Sequence, residues 1–294
     1  MIKNKSFWFI AIIITYYTAM HYNSQHATID KTYIINLDSN ISRYQMMQKK
    51  LESIKLEVPY DKFNAIDGRA ITFFNKATHK TFSGKDILEH KIWLKGDFDI
   101  RCQGNEDPAD YFTIKSLNQE SYNRRIPGEM GCTCSHAKIW QDIVEGNYQN
   151  VLIMEDDLRF IPFFNRILTS AMNNAPKDYE LLFLHYRNYG EAFDRKENNA
   201  LTNFFDTYIK NFFWKRAYTN LVSSRGYVLS NNGAKKLLQC LKNDSASHFM
   251  SIDFYMNKCL NDGNIIAYAS KPKFIYNDNI AAEKSDISEL ESVK

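Results

Sequence analysis

Glu155, Asp156 and Asp157 follow directly on the short apolar run Val151-Leu152-Ile153-Met154 in a chain of 294 residues. A continuous apolar run of this length reads as a strand buried on both faces, and in open α/β sheets ligands collect outside the carboxyl ends of such strands. Adjacent carboxylates repel one another unless water or a cation intervenes, and their hard oxygens suit Mg²⁺ or Mn²⁺. A divalent ion held by Glu155 and Asp157 would bridge two phosphates and stabilise charge on a phosphorylated leaving group. A solvated acidic turn or a helix cap is the alternative reading.

Two further residues could move protons. Asp253 stands in Ser251-Ile252-Asp253-Phe254-Tyr255, an acid framed by apolar residues, where burial would raise its pKa towards the range of a general base. It also fits the cap of a helix over Phe254 to Leu260, and the two roles are compatible. His136, in Gly131-Cys132-Thr133-Cys134-Ser135-His136, is either a catalytic neighbour of the acids or a satisfied structural histidine. No Gly-x-Ser-x-Gly elbow accompanies it, which argues against a serine hydrolase. Glycine-rich phosphate loops of the dinucleotide and P-loop types are also absent from the sequence.

Positioning these residues requires a sheet. Lys31 to Asn36 has the β-branched and aromatic enrichment of a strand, and Arg43 to Leu56 an approximately helical apolar spacing. Phe63 to Ile66 reads as a short strand closed by a turn at Asp67-Gly68. From about Thr72 to Arg125 no period is sustained, and loops with short helices are expected. Met130 to Gly146 is helical, ended by its glycine. Glu180 to Leu184 and Gly226 to Leu229 read as buried strands, and Asn232 to Leu241 as a helix. Strands alternating with helices predict an α/β fold with a mainly parallel sheet flanked by helices.

The 37 basic and 34 acidic residues are spread along the chain without the dense Lys/Arg blocks of a nucleic-acid binder. Length and composition fit a globular enzyme whose core needs no staple. The five cysteines match no zinc spacing, and buried free thiols are expected, a disulfide being the alternative. Lys3 and Lys5 precede the apolar run Phe7 to Ala19, so residues 1–25 read as a signal or membrane-anchor segment, either a signal anchor or a peripheral one. A catalytic domain over residues 30–280 and a polar tail over 281–294 complete the division.

Several segments in order resemble family-25 glycosyltransferases, the group including bacterial lipooligosaccharide galactosyltransferases and procollagen galactosyltransferases. They are Tyr33-Ile34-Ile35-Asn36-Leu37-Asp38 with Arg43; Phe63-Asn64-Ala65-Ile66-Asp67-Gly68; Gly128-Glu129-Met130-Gly131-Cys132 with Ser135, His136 and Trp140; and Val151 to Phe160. Weaker likenesses follow at Gly226 to Ser230 with Gly233 to Leu237, and at Ile252-Asp253. The resemblance implies a Rossmann-like fold of the GT-A type, an inverting mechanism, Mn²⁺ or Mg²⁺, and a UDP-sugar donor, often UDP-galactose. By position it implies that Asn36, Leu37, Arg43 and Asp67 line the nucleotide pocket, that Asp157 is the principal metal ligand with Glu155 or Asp156 assisting, and that His136 sits near the donor. The implied acceptor is a glycan or a glycoprotein. A bacterial surface glycan is the more economical choice, since the chain ends Glu291-Ser292-Val293-Lys294, without an ER-retention tail.

Overall fold

A computed structural model describes residues 28–102, 111–118, 125–188, 213–243 and 251–278. The expected anchor over 1–25 and the tail over 281–294 lie outside them. In chain order the elements are β1 (Lys31–Asn36), α1 (Ile41–Ser53), β2 (Tyr60–Asn64), β3 (Thr72–Asn75), β4 (Thr81–Ser83), α2 (Gly84–Glu89), β5 (Lys95–Arg101), β6 (Tyr111–Asn118) and α3 (Ile126–Glu145). There follow β7 (Asn150–Glu155), β8 (Leu158–Phe160), α4 (Phe164–Asn173), β9 (Leu181–Phe183), β10 (Arg187–Asn188), β11 (Trp214–Ala217), β12 (Leu221–Val222), β13 (Gly226–Ser230), α5 (Asn231–Asn243), α6 (Ile252–Asn261), β14 (Ala267–Ser270) and β15 (Ile275–Asn277).

The main sheet has seven strands in the order β11-β14-β9-β13-β7-β1-β2. Strands β1, β2 and β7 run parallel, as do β9 and β14, but β13 lies antiparallel between β7 and β9, and β11 antiparallel to β14. The sheet is therefore more mixed than the expected parallel one. Apolar runs mark buried strands in either direction, so periodicity carried no information about β13's orientation.

Alternation along the strands separates two cores. Tyr33, Ile35, Ile153 and Tyr227 face α3, α5 and α6 with Trp140, Leu237 and Tyr255. Ile34, Met154 and Val228 face the other way, against Met47 and Leu51 of α1 and Phe164 and Leu168 of α4. Both layers are helical, which explains the unbroken apolar runs Tyr33 to Ile35, Val151 to Met154 and Tyr227 to Leu229 in the central strands.

The segment from Thr72 onward, expected to be loops with short helices, instead forms a second, four-stranded antiparallel sheet in the order β4-β3-β5-β6, with α2 beside it. Along β5 buried Phe98 and Ile100 alternate with Asp97, Asp99 and Arg101, and the glycine and charges broke up the apolar pattern. Phe73, Phe98 and Ile100 pack there with Met130 and Cys134 of α3. Cys102 and Cys134 join this sheet to α3 in a disulfide, and Cys240 and Cys259 join α5 to α6. The expectation of free thiols is corrected for these four, which lie too far apart in sequence for spacing to reveal them; Cys132 alone is free.

Close backbone approach ties the two sheets. A Cβ on Gly68 would stand 2.0 Å from the carbonyl oxygen of Pro127, and one on Gly84 1.9 Å from that of Gly68. Asp67-Gly68, expected to turn, instead opens a 3-10 segment over Gly68–Ala70 that Asp67 caps. Ser135 Oγ accepts from the Ile66 amide at 2.8 Å and donates to the Gly131 carbonyl at 2.7 Å. Because backbone occupies the space, Gly68→Ala should lower stability by about 2–3 kcal/mol, from overpacking with little room to relax; urea denaturation of the full chain measures it, and a loss within about 0.5 kcal/mol would show the contact to be compliant.

Candidate functional site

The carboxyl end of β7 delivers the three acids, and each meets a different partner. Asp156 is buried and binds Arg43 of α1, while its other oxygen accepts from Asn36 Nδ2 at 2.6 Å. Asn36 closes β1, so the first strand and first helix are fixed to the acids through one carboxylate. Asn36 and Arg43 are themselves buried, buttressing Asp156 from below. Leu37, partly exposed, begins the loop beyond Asn36.

Asp157, also buried, accepts from Arg225 on one oxygen; its other oxygen, Oδ1, has no partner among the described residues. Glu155 accepts from Ser224 Oγ at 2.7 Å. Ser224 and Arg225 immediately precede β13, and because β13 is antiparallel its start lies at the carboxyl edge of β7. The reversed strand thus brings a cation to an acidic edge. These residues were missed in the sequence, and knowledge of strand direction is the one signal that would have found them.

The charges are unequal in consequence. Burial works to raise Glu155, but His136, Arg225 and Ser224 outweigh it and hold its carboxyl down to about 2. Burial and the neighbouring Glu155 charge push Asp157 up, against Arg225 and Arg43. The geometry gives the same order, since Glu155 is partly open to solvent whereas Asp157 keeps a buried oxygen without a partner. Such an oxygen next to a carboxylate suits a divalent cation at Glu155 and Asp157. Both Asp156 oxygens are already engaged.

Other groups close the edge. His136 is fully buried on α3, with Nε2 3.9 Å from Glu155 Oε1. Cys132, one turn earlier, has its thiol pushed well up by burial and by the charges of Glu155 and Asp253. His185, after β9, bonds Ser223 Oγ through Nδ1 at 2.7 Å, and burial with the charges of Arg225 and Lys273 holds it down to about 4. Asp253 lies in the first turn of α6, where its Oδ1 accepts from Ser251 Oγ and from the Phe254 amide. It is near enough to Glu129 at the start of α3 to help burial raise that carboxyl. Asp67 stands further along, paired with Arg69, whose hydrogen bonds overcome burial and hold its carboxyl below the usual range. Glu155, Asp156, Asp157, Asn36, Arg43 and His136 thus come together; Asp253 bonds within its own turn and acts on Glu129 and Cys132 through its charge; Asp67 is engaged with Arg69.

The family model described as "Glycosyltransferase family 25 (LPS biosynthesis protein)" matches residues 29–256. A "Glycosyltransferase 25 family member" of Drosophila melanogaster is 27% identical over 277 residues, 90% of this chain and 38% of that protein. "Procollagen galactosyltransferase 1-A" of Xenopus laevis is 24% identical over 278 residues, again 90% of this chain and 38% of the relative. The chain therefore spans little more than a third of the length of these relatives.

Removing one member of the buried Asp156 pair leaves an unanswered charge, so Arg43→Met should cost about 3–5 kcal/mol, while Arg43→Met with Asp156→Leu should recover most of it; denaturant midpoints of the single and double variants give the comparison. A carboxylate held low in the folded state adds stability above its unfolded pKa and loses it as pH falls towards its folded one. Acid destabilisation between about pH 4.5 and 2 should therefore be shallower in Glu155→Gln, as followed by circular dichroism across that range.

Proposed function

The chain belongs to glycosyltransferase family 25, and from that premise we propose that it transfers a sugar, galactose first among candidates, from a UDP-sugar to a hydroxyl of a glycan or glycoprotein. The reading includes the GT-A type of fold. The observation that supports it best is the convergence of separate sequence segments on one sheet edge, where the partly exposed Glu155 and the buried Asp157 lie beside Arg225. Glu155 and Asp157 would hold Mn²⁺ or Mg²⁺, which when bound offsets the diphosphate's charge. Arg225, 27% exposed on its side chain, offers a guanidinium for the phosphate oxygens. Asn36 and Arg43 keep Asp156 and the nucleotide-side loop at Leu37 in place, with Asp67 at its far border.

For the chemical step we assign Asp253 as base. The acceptor oxygen bonds to the anomeric carbon as the bond from that carbon to the UDP oxygen breaks, with inversion. The acceptor's proton passes to Asp253 and the electron pair leaves with UDP. A surface glycan of the lipopolysaccharide class is the favoured acceptor; the relatives named procollagen galactosyltransferases support a protein hydroxyl as the second reading. The two disulfides agree with a compartment outside the reducing cytosol. Among the described residues no helix is long and apolar enough to cross a membrane.

Incubation with a panel of sugar nucleotides should release UDP with Mn²⁺ or Mg²⁺ and stop on chelation. Asp253→Asn should lower kcat by at least about 100-fold with donor binding kept, and Asp157→Asn should abolish the metal response. Turnover preserved in Asp157→Asn would remove the metal assignment. Donor binding without turnover on any acceptor would make the chain a non-catalytic relative.

A further inference from the structure

Trp140 Nε1 carries a hydrogen and offers no lone pair, so it can only donate. It lies 2.9 Å from Tyr227 Oη, which therefore accepts. Tyr227 is fully buried, and its own hydroxyl proton needs an acceptor within the protein. Among the described residues the other polar atom at bonding distance is His136 Nδ1, 2.8 Å away, with the two rings stacked at 27°. If Nδ1 accepts, the proton of the neutral imidazole sits on Nε2. The opposite tautomer would strand the tyrosine proton in the core, the costlier arrangement.

Nε2 is buried, lacks a hydrogen-bond partner among the described residues, and stands 3.9 Å from Glu155 Oε1. We infer that Trp140 and Tyr227 form a one-way hydrogen-bond relay that fixes His136 as an Nε2–H donor facing Glu155, making all three positioning residues for that carboxylate. Donors then converge on Glu155 from two elements, Ser224 ahead of β13 and His136 on α3. The relay also decides a competing use of the same atoms. Cys132 Sγ, a ring nitrogen of His136 and a Glu155 oxygen lie within 4.8 Å of one another, and Nε2 is the nitrogen 3.9 Å from Glu155, a grouping that a borderline metal such as Zn²⁺ could occupy. Such an ion would need the Nε2 lone pair, which the relay assigns to a proton.

The consequence for turnover rests on the donor site proposed above, because it acts through Glu155; the tautomer does not. The test is a long-range ¹H–¹⁵N correlation spectrum of the ¹⁵N-labelled full-length protein without nucleotide sugar, His136 being assigned by its loss in His136→Gln. The expected pattern is an unprotonated Nδ1 and a protonated Nε2, unchanged by zinc ion alone. A protonated Nδ1, or loss of the Nε2 proton on adding zinc, would overturn the relay. Tyr227→Phe removes the acceptor's partner with little change of shape. It should replace the single-tautomer pattern with a mixture and lower kcat by about 10-fold or more while donor KM holds. A variant that keeps both the pattern and kcat refutes the positioning role. If neither variant folds, zinc titration of the wild-type histidine signals still decides, since a displaced Nε2 proton refutes the relay and undisturbed signals support it. A protein with this tautomer and no turnover would keep the relay and remove the transferase reading.

Discussion

Three carboxylates on consecutive residues at a buried strand end repel one another at close range, and low dielectric would magnify that repulsion. The molecule resolves it by answering each acid from a different element. Asp156 takes Arg43 and Asn36, Asp157 takes Arg225, and Glu155 takes Ser224 with His136 close by. Electrostatic balance at one edge thereby ties α1, β1, β7 and the approach to β13 to a common point. A buried pair such as Arg43 with Asp156 contributes little net stability against a well-packed apolar alternative, but it penalises any arrangement that separates its members. Its effect is to specify which elements meet.

A second constraint acts on α3. Glu129, Cys132, His136 and Trp140 recur at helical spacing, so one stripe of that helix carries groups that reach the edge. The stripe's height and rotation are set by the close contacts of Gly68 with Pro127 and by the two hydrogen bonds of Ser135. The four-stranded sheet holds the far side of the helix through Met130, Phe98 and the Cys102–Cys134 link. Packing around Gly68 and a disulfide thus determines where a histidine ring sits relative to a carboxylate.

Much of this was legible in the residues. The runs at Lys31 to Asn36 and Val151 to Met154 could hardly be anything but buried strands, and the acids' place at a strand end followed from the break in hydropathy after Met154. The helix ending at Gly146 was equally plain. What escaped was non-local. The β3 to β6 sheet includes a strand, β5, whose outward residues Lys95, Asp97, Asp99 and Arg101 are as polar as any loop, and its pairing depends on partners elsewhere in the chain. The disulfides join residues 32 and 19 positions apart, and no spacing rule selects them. Arg225 lay unremarked because it flanks an apolar run that reads the same in both directions, and its meaning depends on β13 running against β7.

That reversal has a consequence for how the protein is made. Arg225 follows Asp157 by 68 residues, so during vectorial synthesis the acids emerge and their strand can pair with β1 well before the balancing guanidinium exists. Until the later segment threads between β7 and the next strand, the emerging half carries an edge of uncompensated negative charge and an unpaired strand border. Such a partly built state is open to association with other chains or with cations in its surroundings. Completion of the sheet and neutralisation of its acidic end are therefore one event in the life of the polypeptide, reached only when translation has passed the second half of the fold.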